Sequence, residues 1–133
     1  MSNVRALVQD VGGLMRASRN GDTILNPVIT TVAADAAASI LVSAISGGVV
    51  QYTGFTAGRV LTTDTAANIL AAYPALDVGD SISLVVSITA AFAGTYAAGA
   101  GVTLAGRATT PASSYSKIYI TKTSATTVTW TVL

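Results

Sequence analysis

Alternation of apolar and hydroxyl side chains is the feature of this sequence that most limits its possible folds. In Ser81–Thr89 every second residue is apolar, and most of the others carry hydroxyls. Because successive side chains of a β-strand point to opposite sides, this period of two predicts a strand with one buried face. Two more alternating segments lie on either side of the polar link Thr123–Thr126, which predicts a C-terminal hairpin. The side chains predicted to form the core are Ile82, Leu84, Val86, Ile88, Ile118, Ile120, Val128, Trp130 and Val132.

Three shorter segments, with glycines at one or both ends, predict further strands. They are Val49–Thr53, Arg59–Thr62 and Val102–Ala105. Glycine suits the turns and bulges that must separate short strands. The chain therefore contains many short strands joined by tight connections.

Helical signals are few after residue 27. Thr65 or its neighbour Asp64 can cap a helix that ends before Pro74, and apolar residues follow at helical spacing. The segment Thr31–Gly48 is ambiguous, because its alanines favour a helix whereas Ile40-Leu41-Val42 favours a strand. For that segment we predict a strand at Ser39–Val42 and a turn at Gly47-Gly48.

These elements predict an all-β fold, an antiparallel β-sandwich or jelly-roll with one short helix. The first 27 residues form a separate N-terminal arm in this interpretation, and residues 28–133 form the body. Charge marks the boundary, since five of the thirteen charged residues lie in the first twenty-two positions. We expect the arm to bind another protein through residues that combine this charge with helically spaced apolar side chains, namely Val4, Arg5, Leu7, Asp10, Leu14, Arg16, Arg19 and Asp22.

The chain contains no histidine, cysteine or glutamate, which removes most side chains used in catalysis and metal binding. We therefore predict no enzyme, no cofactor and no metal site. Asp77 and Asp80 could form a calcium site or a catalytic carboxylate pair, but Asp-Val-Gly-Asp before a strand is typical of a turn. A serine nucleophile would need Lys117 or Lys122 as its base, and both are predicted on a polar strand face.

Other classes of partner are disfavoured by composition. A net charge of +1 provides no basic field for nucleic acid. The glycines from Gly94 to Gly106 lack the Gly-Lys-Ser/Thr of a phosphate-binding loop and favour turns. Two uncharged stretches, 36–58 and 81–106, are long enough to span a membrane, but glycines interrupt both and the second alternates like a strand.

Only 10% of the residues are charged, which is a solubility risk for a free monomer. Burial of the surface against other chains would remove this risk and would also cover exposed sheet edges. The alternative is that Ser and Thr hydroxyls solvate the exterior well enough.

Arg5 and Asp10 interrupt the apolar region that a signal peptide would need, so we do not expect export by that route.

Several segments rich in Ala, Gly and Thr recur along the body. They are Ala33–Ala38, Gly47-Gly48, Thr62–Ile69, Gly79-Asp80-Ser81 and Ala98–Gly106, followed by a threonine-rich end. Over about residues 33–133 the chain resembles capsid decoration (cement) proteins and head fibres of tailed bacteriophages. The resemblance implies a homotrimeric body on the outer capsid surface, made in the host cytoplasm, with the arm on the major capsid protein. It implies no catalytic residue.

Two alternatives to a capsid-reinforcing role remain. A fibre or tail-tip module could bind host-surface carbohydrate through exposed aromatic side chains at Tyr52, Phe55, Tyr96 or Tyr115. An enzyme would have to work through Asp77 or Asp80.

Overall fold

The computed structural model describes residues 27–133, which form ten strands and two short helices. The helices are α1 (Val42–Gly47) and α2 (Ala66–Ala72). The strands are β1 (Val28–Val32), β2 (Ala38–Ile40), β3 (Gly48–Tyr52), β4 (Arg59–Thr63), β5 (Ser81–Ile88), β6 (Gly94–Ala97), β7 (Val102–Gly106), β8 (Thr109–Thr110), β9 (Ser114–Lys122) and β10 (Val128–Val132).

The strands form two mixed sheets that share one hydrophobic core. The six-stranded sheet has the order β1-β3-β5-β9-β10-β7, and the four-stranded sheet has the order β2-β4-β6-β8. In the six-stranded sheet the pairs β1–β3, β3–β5 and β7–β10 are parallel. In the four-stranded sheet the pairs β2–β4 and β4–β6 are parallel. It is antiparallel where β9 meets β5 and β10, and where β8 meets β6.

The parallel pairs arise because the chain winds between the two sheets. From β1 to β9, each strand is followed by a strand of the other sheet. Through β6, every second strand also returns beside its predecessor in the same direction, which gives the parallel runs β1-β3-β5 and β2-β4-β6. The connections stack as well, since Thr53 N donates to Val32 O and Thr89 N donates to Tyr52 O, both at 3.0 Å. A Cβ on Gly54 would lie 1.9 Å from the Ala33 oxygen. Only glycine therefore fits where the connection after β3 passes the connection after β1.

The predicted all-β antiparallel sandwich or jelly-roll was therefore wrong. The sheets mix parallel and antiparallel pairs, and there are two helices in the described region rather than one. The alternating pattern marks which side of a strand is buried, but it is the same for both directions of pairing. The direction depends on the path of the connections, which no local pattern records.

Helix α2 begins and ends where the sequence predicts. Thr65 is its N-cap and accepts a hydrogen bond from Asn68 N at 3.1 Å, and Ile69 faces the core. Helix α1 was missed. The predicted strand at Ser39–Val42 is only the three-residue β2, and α1 starts at Val42.

The predicted core is confirmed, since all nine inward side chains are buried. Trp130 on β10 has no exposed surface and lies between Leu104 of β7 and Ile120 of β9 in the register. The predicted hairpin is β9–β10, and the three glycine-bounded strand predictions correspond to β3, β4 and β7. The predicted arm, residues 1–27, lies outside the described region except for Pro27.

Candidate binding surface

The acidic residues that could have suggested catalysis belong to turns and caps. Asp80 N donates to Asp77 O at 2.9 Å, and Asp80 Oδ2 accepts from Asp77 N at 3.0 Å. Gly79 between them has a φ of 98°, as a tight turn requires. Residues 27–133 contain no cluster of three acidic side chains that could hold a metal ion. This turn sets the start of β5.

The buried Asp64 joins the two helices. Its Oδ2 accepts from Val42 N at 3.0 Å, and its Oδ1 accepts from Thr65 N and Asn68 Nδ2, both at 2.8 Å. One carboxylate thus satisfies backbone donors at the starts of both α1 and α2. These three hydrogen bonds connect the starts of the two helices through one side chain.

A second acidic residue ties together the connections at the opposite end of the sheets. The carboxylate of Asp35 contacts the Arg59 guanidinium at 2.8 Å and accepts from the Thr56 hydroxyl and from Thr56 N. These hydrogen bonds from Thr56 and the charge of Arg59 lower the pKa of Asp35 from 3.8 to about 2. The contact links the connection after β1 to the connection after β3.

The two lysines of β9 contact groups other than a serine hydroxyl. Lys117 lies over the Tyr119 ring, with its Nζ 5.4 Å from the ring centre. Lys122, the last residue of β9, donates through Nζ to Leu76 O at 3.0 Å. Lys117 is on the polar side of the strand, as predicted. Lys122 lies an even number of residues from the buried Ile118 and Ile120, so it is on the inward side and its prediction was wrong.

The aromatic residues proposed for sugar binding are mostly in the core. Tyr52, Phe55 and Tyr96 are 1%, 4% and 6% exposed, so that part of the carbohydrate prediction was wrong. Tyr52 shares the inward parity of Val50, which is a signal the sequence contained. Tyr115 is the exception, with 69% of its surface exposed, and Tyr119 follows on the same face.

These exposed tyrosines lie on the outer face, which we define as the side of the six-stranded sheet that points away from the core. Across its registered strands Lys117 carries the only formal charge. An apolar row, formed by Ile29, Val49 and Val85, crosses β1, β3 and β5 and ends beside Lys117. The remaining positions are mainly hydroxyl residues, namely Thr31, Ser81, Ser83, Ser87, Thr103, Tyr115, Tyr119, Thr121, Thr129 and Thr131.

An open groove of about 320 Å³ adjoins this face where β5 ends and β9 begins. We call it the hydroxyl groove, because five of its six lining residues carry a hydroxyl. The lining residues are Ser87, Ile88, Thr89, Ser113, Ser114 and Tyr115.

Gly106, one of the glycines that could have formed a phosphate loop, makes a close backbone contact instead. A Cβ on Gly106 would lie 2.1 Å from the Val132 oxygen, and Gly106 has a φ of 81°. It therefore allows β7 to end tightly against β10.

No family model, curated protein or solved structure matches this chain. Within residues 27–133, neither helix has the length and apolar character needed to cross a membrane. The residues predicted to contact a capsid, Val4, Arg5, Leu7, Asp10, Leu14, Arg16, Arg19 and Asp22, lie outside the described region.

Proposed function

We propose that the protein is a non-enzymatic structural component of a tailed-bacteriophage particle that binds the outer capsid surface and reinforces the shell. The observation that carries the structural part of this proposal is the outer face. It presents an apolar row and many hydroxyls with a single formal charge. The phage setting rests on the sequence resemblance.

The outer face suits contact with another protein better than contact with a charged ligand. Interface centres are depleted of charged residues, whereas their rims are polar. Ile29 is 59% exposed, and Val49 and Val85 beside it are partly exposed, so an apolar stripe crosses three neighbouring strands. Burial of this stripe would stabilise an assembly through the hydrophobic effect.

In this proposal the apolar row of Ile29, Val49 and Val85 is the centre of the contact with other copies of the chain, and the end of the face at Tyr115 stays open to solvent. The N-terminal arm contacts the major capsid protein. A second copy meets the chemistry of the face, because hydroxyls can donate to and accept from the same groups on an identical partner. A trimer remains the preferred number of copies, on the resemblance.

Self-association can be tested with Val85→Asp. Val85 lies opposite Lys117 in the register, so the new carboxylate has a neighbouring cation in the monomer but adds charge to the proposed interface. We expect light scattering to give a multiple of the 13.3 kDa chain mass for the wild type and a lower mass for the variant. Thr95→Asp, on the exposed side of the four-stranded sheet, is the matched control and should keep the wild-type mass. A single-chain mass for the wild type would refute self-association.

Attachment can be tested separately in the full-length chain. Arg16→Glu with Arg19→Glu reverses charges in the arm, and we expect this variant to stop sedimenting with capsids that lack the protein while keeping its oligomer mass. Arg107→Glu changes an exposed arginine of the body and should leave sedimentation unchanged. Retained sedimentation of the arm variant would show that these arginines do not anchor the protein.

A further inference from the structure

The hydroxyl groove brings five hydroxyl side chains together around one open space beside the outer face. Ser87 and Tyr115 are directly opposite in the register of β5 and β9, and Ser114 lies opposite Ile88. Thr89 and Ser113 extend the two walls beyond the paired strands. The groove is therefore built on the ends of two central strands, which hold its walls at a set distance.

Within residues 27–133, the side-chain hydroxyls of the groove form no hydrogen bond with another group of the protein. They belong to Ser87, Thr89, Ser113, Ser114 and Tyr115. At the other end of the same strand pair, the Ser81 and Thr121 hydroxyls bond each other at 2.6 Å. Each free hydroxyl can both donate and accept, so the groove presents several such groups to one ligand.

Tyr115 adds an exposed aromatic ring beside these hydroxyls. A pyranose has apolar C–H faces that pack on aromatic rings and a rim of hydroxyls that exchange hydrogen bonds with Ser, Thr and Tyr. None of the six lining residues is charged, which favours a neutral ligand over an acidic one. A volume of about 320 Å³ is within the range of small-molecule sites.

The backbone at the groove is also unusual. Ser113 has a φ of 53°, and it is the only residue other than glycine with a positive φ in the described part of the chain. Ser113 N donates to Ala90 O at 3.1 Å, which holds this conformation against the end of β5. A non-glycine residue in the left-handed region costs free energy and is retained more often at binding sites than elsewhere.

We propose that the hydroxyl groove binds a neutral hexopyranose unit of a carbohydrate, with the Tyr115 ring packed against the sugar face. This binding activity goes beyond the proposed structural function and does not depend on it. Tyr115 supplies the apolar contact, and the serine and threonine hydroxyls contact the hydroxyls of the sugar.

The test is an NMR titration of the full-length protein with the methyl glycosides of glucose, galactose, mannose and N-acetylglucosamine. Each is added to about 50 mM, well above a millimolar Kd. We expect at least one sugar to shift amide resonances at residues 87–89 and 113–115 in a saturable way. Absence of such shifts with all four sugars overturns the proposal.

Two matched variants identify the contact. Tyr115→Ala should weaken the binding about tenfold or more, because the stacking surface is lost. Tyr119→Ala removes a tyrosine from the same strand and face but outside the groove, and should bind as the wild type does. Equal binding by the Tyr115 variant and the wild type would also overturn the proposal. Loss of sugar binding with unchanged oligomer mass and capsid sedimentation would separate this site from the proposed structural function.

Discussion

Replacement of Trp130 by alanine tests the shared core of the two sheets. Trp130 is fully buried on β10, and its register neighbours are Leu104 on β7 and Ile120 on β9. Truncation would remove the indole and leave a cavity between three strands of the six-stranded sheet. Large-to-small changes of this kind cost about 3 to 5 kcal/mol, a large part of a typical domain's stability.

The indole nitrogen makes a second variant informative. Trp130 Nε1 is buried without a hydrogen-bond partner within the described region. Trp130→Phe therefore removes volume without breaking a hydrogen bond, and it also removes a buried polar group that has no partner. We expect a cost of about 1 to 2 kcal/mol, well below that of the alanine variant.

Urea unfolding followed by far-UV circular dichroism gives both values. Circular dichroism is needed because Trp130 is the only tryptophan, so both variants lose its fluorescence. All proteins are compared at one concentration, because association would add to the apparent stability. A loss below about 1 kcal/mol for Trp130→Ala would refute the assignment of this side chain to the core.

Three further predictions concern polar groups of the fold. Burial raises the pKa of Tyr52 and Tyr96 from 10.0 to about 12. Their contribution to stability is therefore complete below pH 10 and is lost as pH rises through about 12. If Tyr52→Phe or Tyr96→Phe removes tyrosinate absorbance that the wild type develops near pH 10, this prediction is contradicted. The lowered pKa of Asp35 predicts that stability depends on pH in the opposite direction, because its contribution is lost as pH falls from 3.8 through about 2. The variant Asp35→Asn should therefore lose this part of the acid dependence of its thermal unfolding temperature. Asp64→Ala leaves donors at the starts of both helices without their acceptor. We expect it to lower the free energy of unfolding in urea by about 1 to 3 kcal/mol. An unchanged urea midpoint would show that water replaces the carboxylate.

The alternating pattern was sufficient to predict the inward face of the central strands. The apolar residues at alternate positions are all buried, namely Ile82, Leu84, Val86, Ile88, Ile118, Ile120, Val128, Trp130 and Val132. Thr65 was a readable cap because its partner, Asn68, is three residues away. Features of this kind depend on neighbours close in sequence, and the sequence predicts them well.

Features that depend on distant partners were missed or wrong. Helix α1 starts where Val42 N meets the carboxylate of Asp64, a contact across 22 residues. The parallel pairing follows from stacked connections such as those at Ala33 and Gly54. No short window of sequence contains both members of such a contact, so neither α1 nor the strand direction could be predicted locally.

The candidate site likewise combines features that the local sequence predicts with features that depend on distant residues. The parity of Tyr115, Lys117 and Tyr119 places them together on the polar side of β9, and this much is readable. The hydroxyl groove needs the register of β5 against β9, which places Ser87 opposite Tyr115. The inward parity of Tyr52 could have excluded it from the sugar-binding candidates.

Cryo-electron microscopy of capsids that lack this protein, mixed with the purified wild-type chain, shows whether the protein coats the shell. We expect ordered density at regular positions on the outer surface of the shell, with the six-stranded sheet of each copy turned toward a neighbouring copy. Bare shells, or density found only on tails, would contradict this expectation.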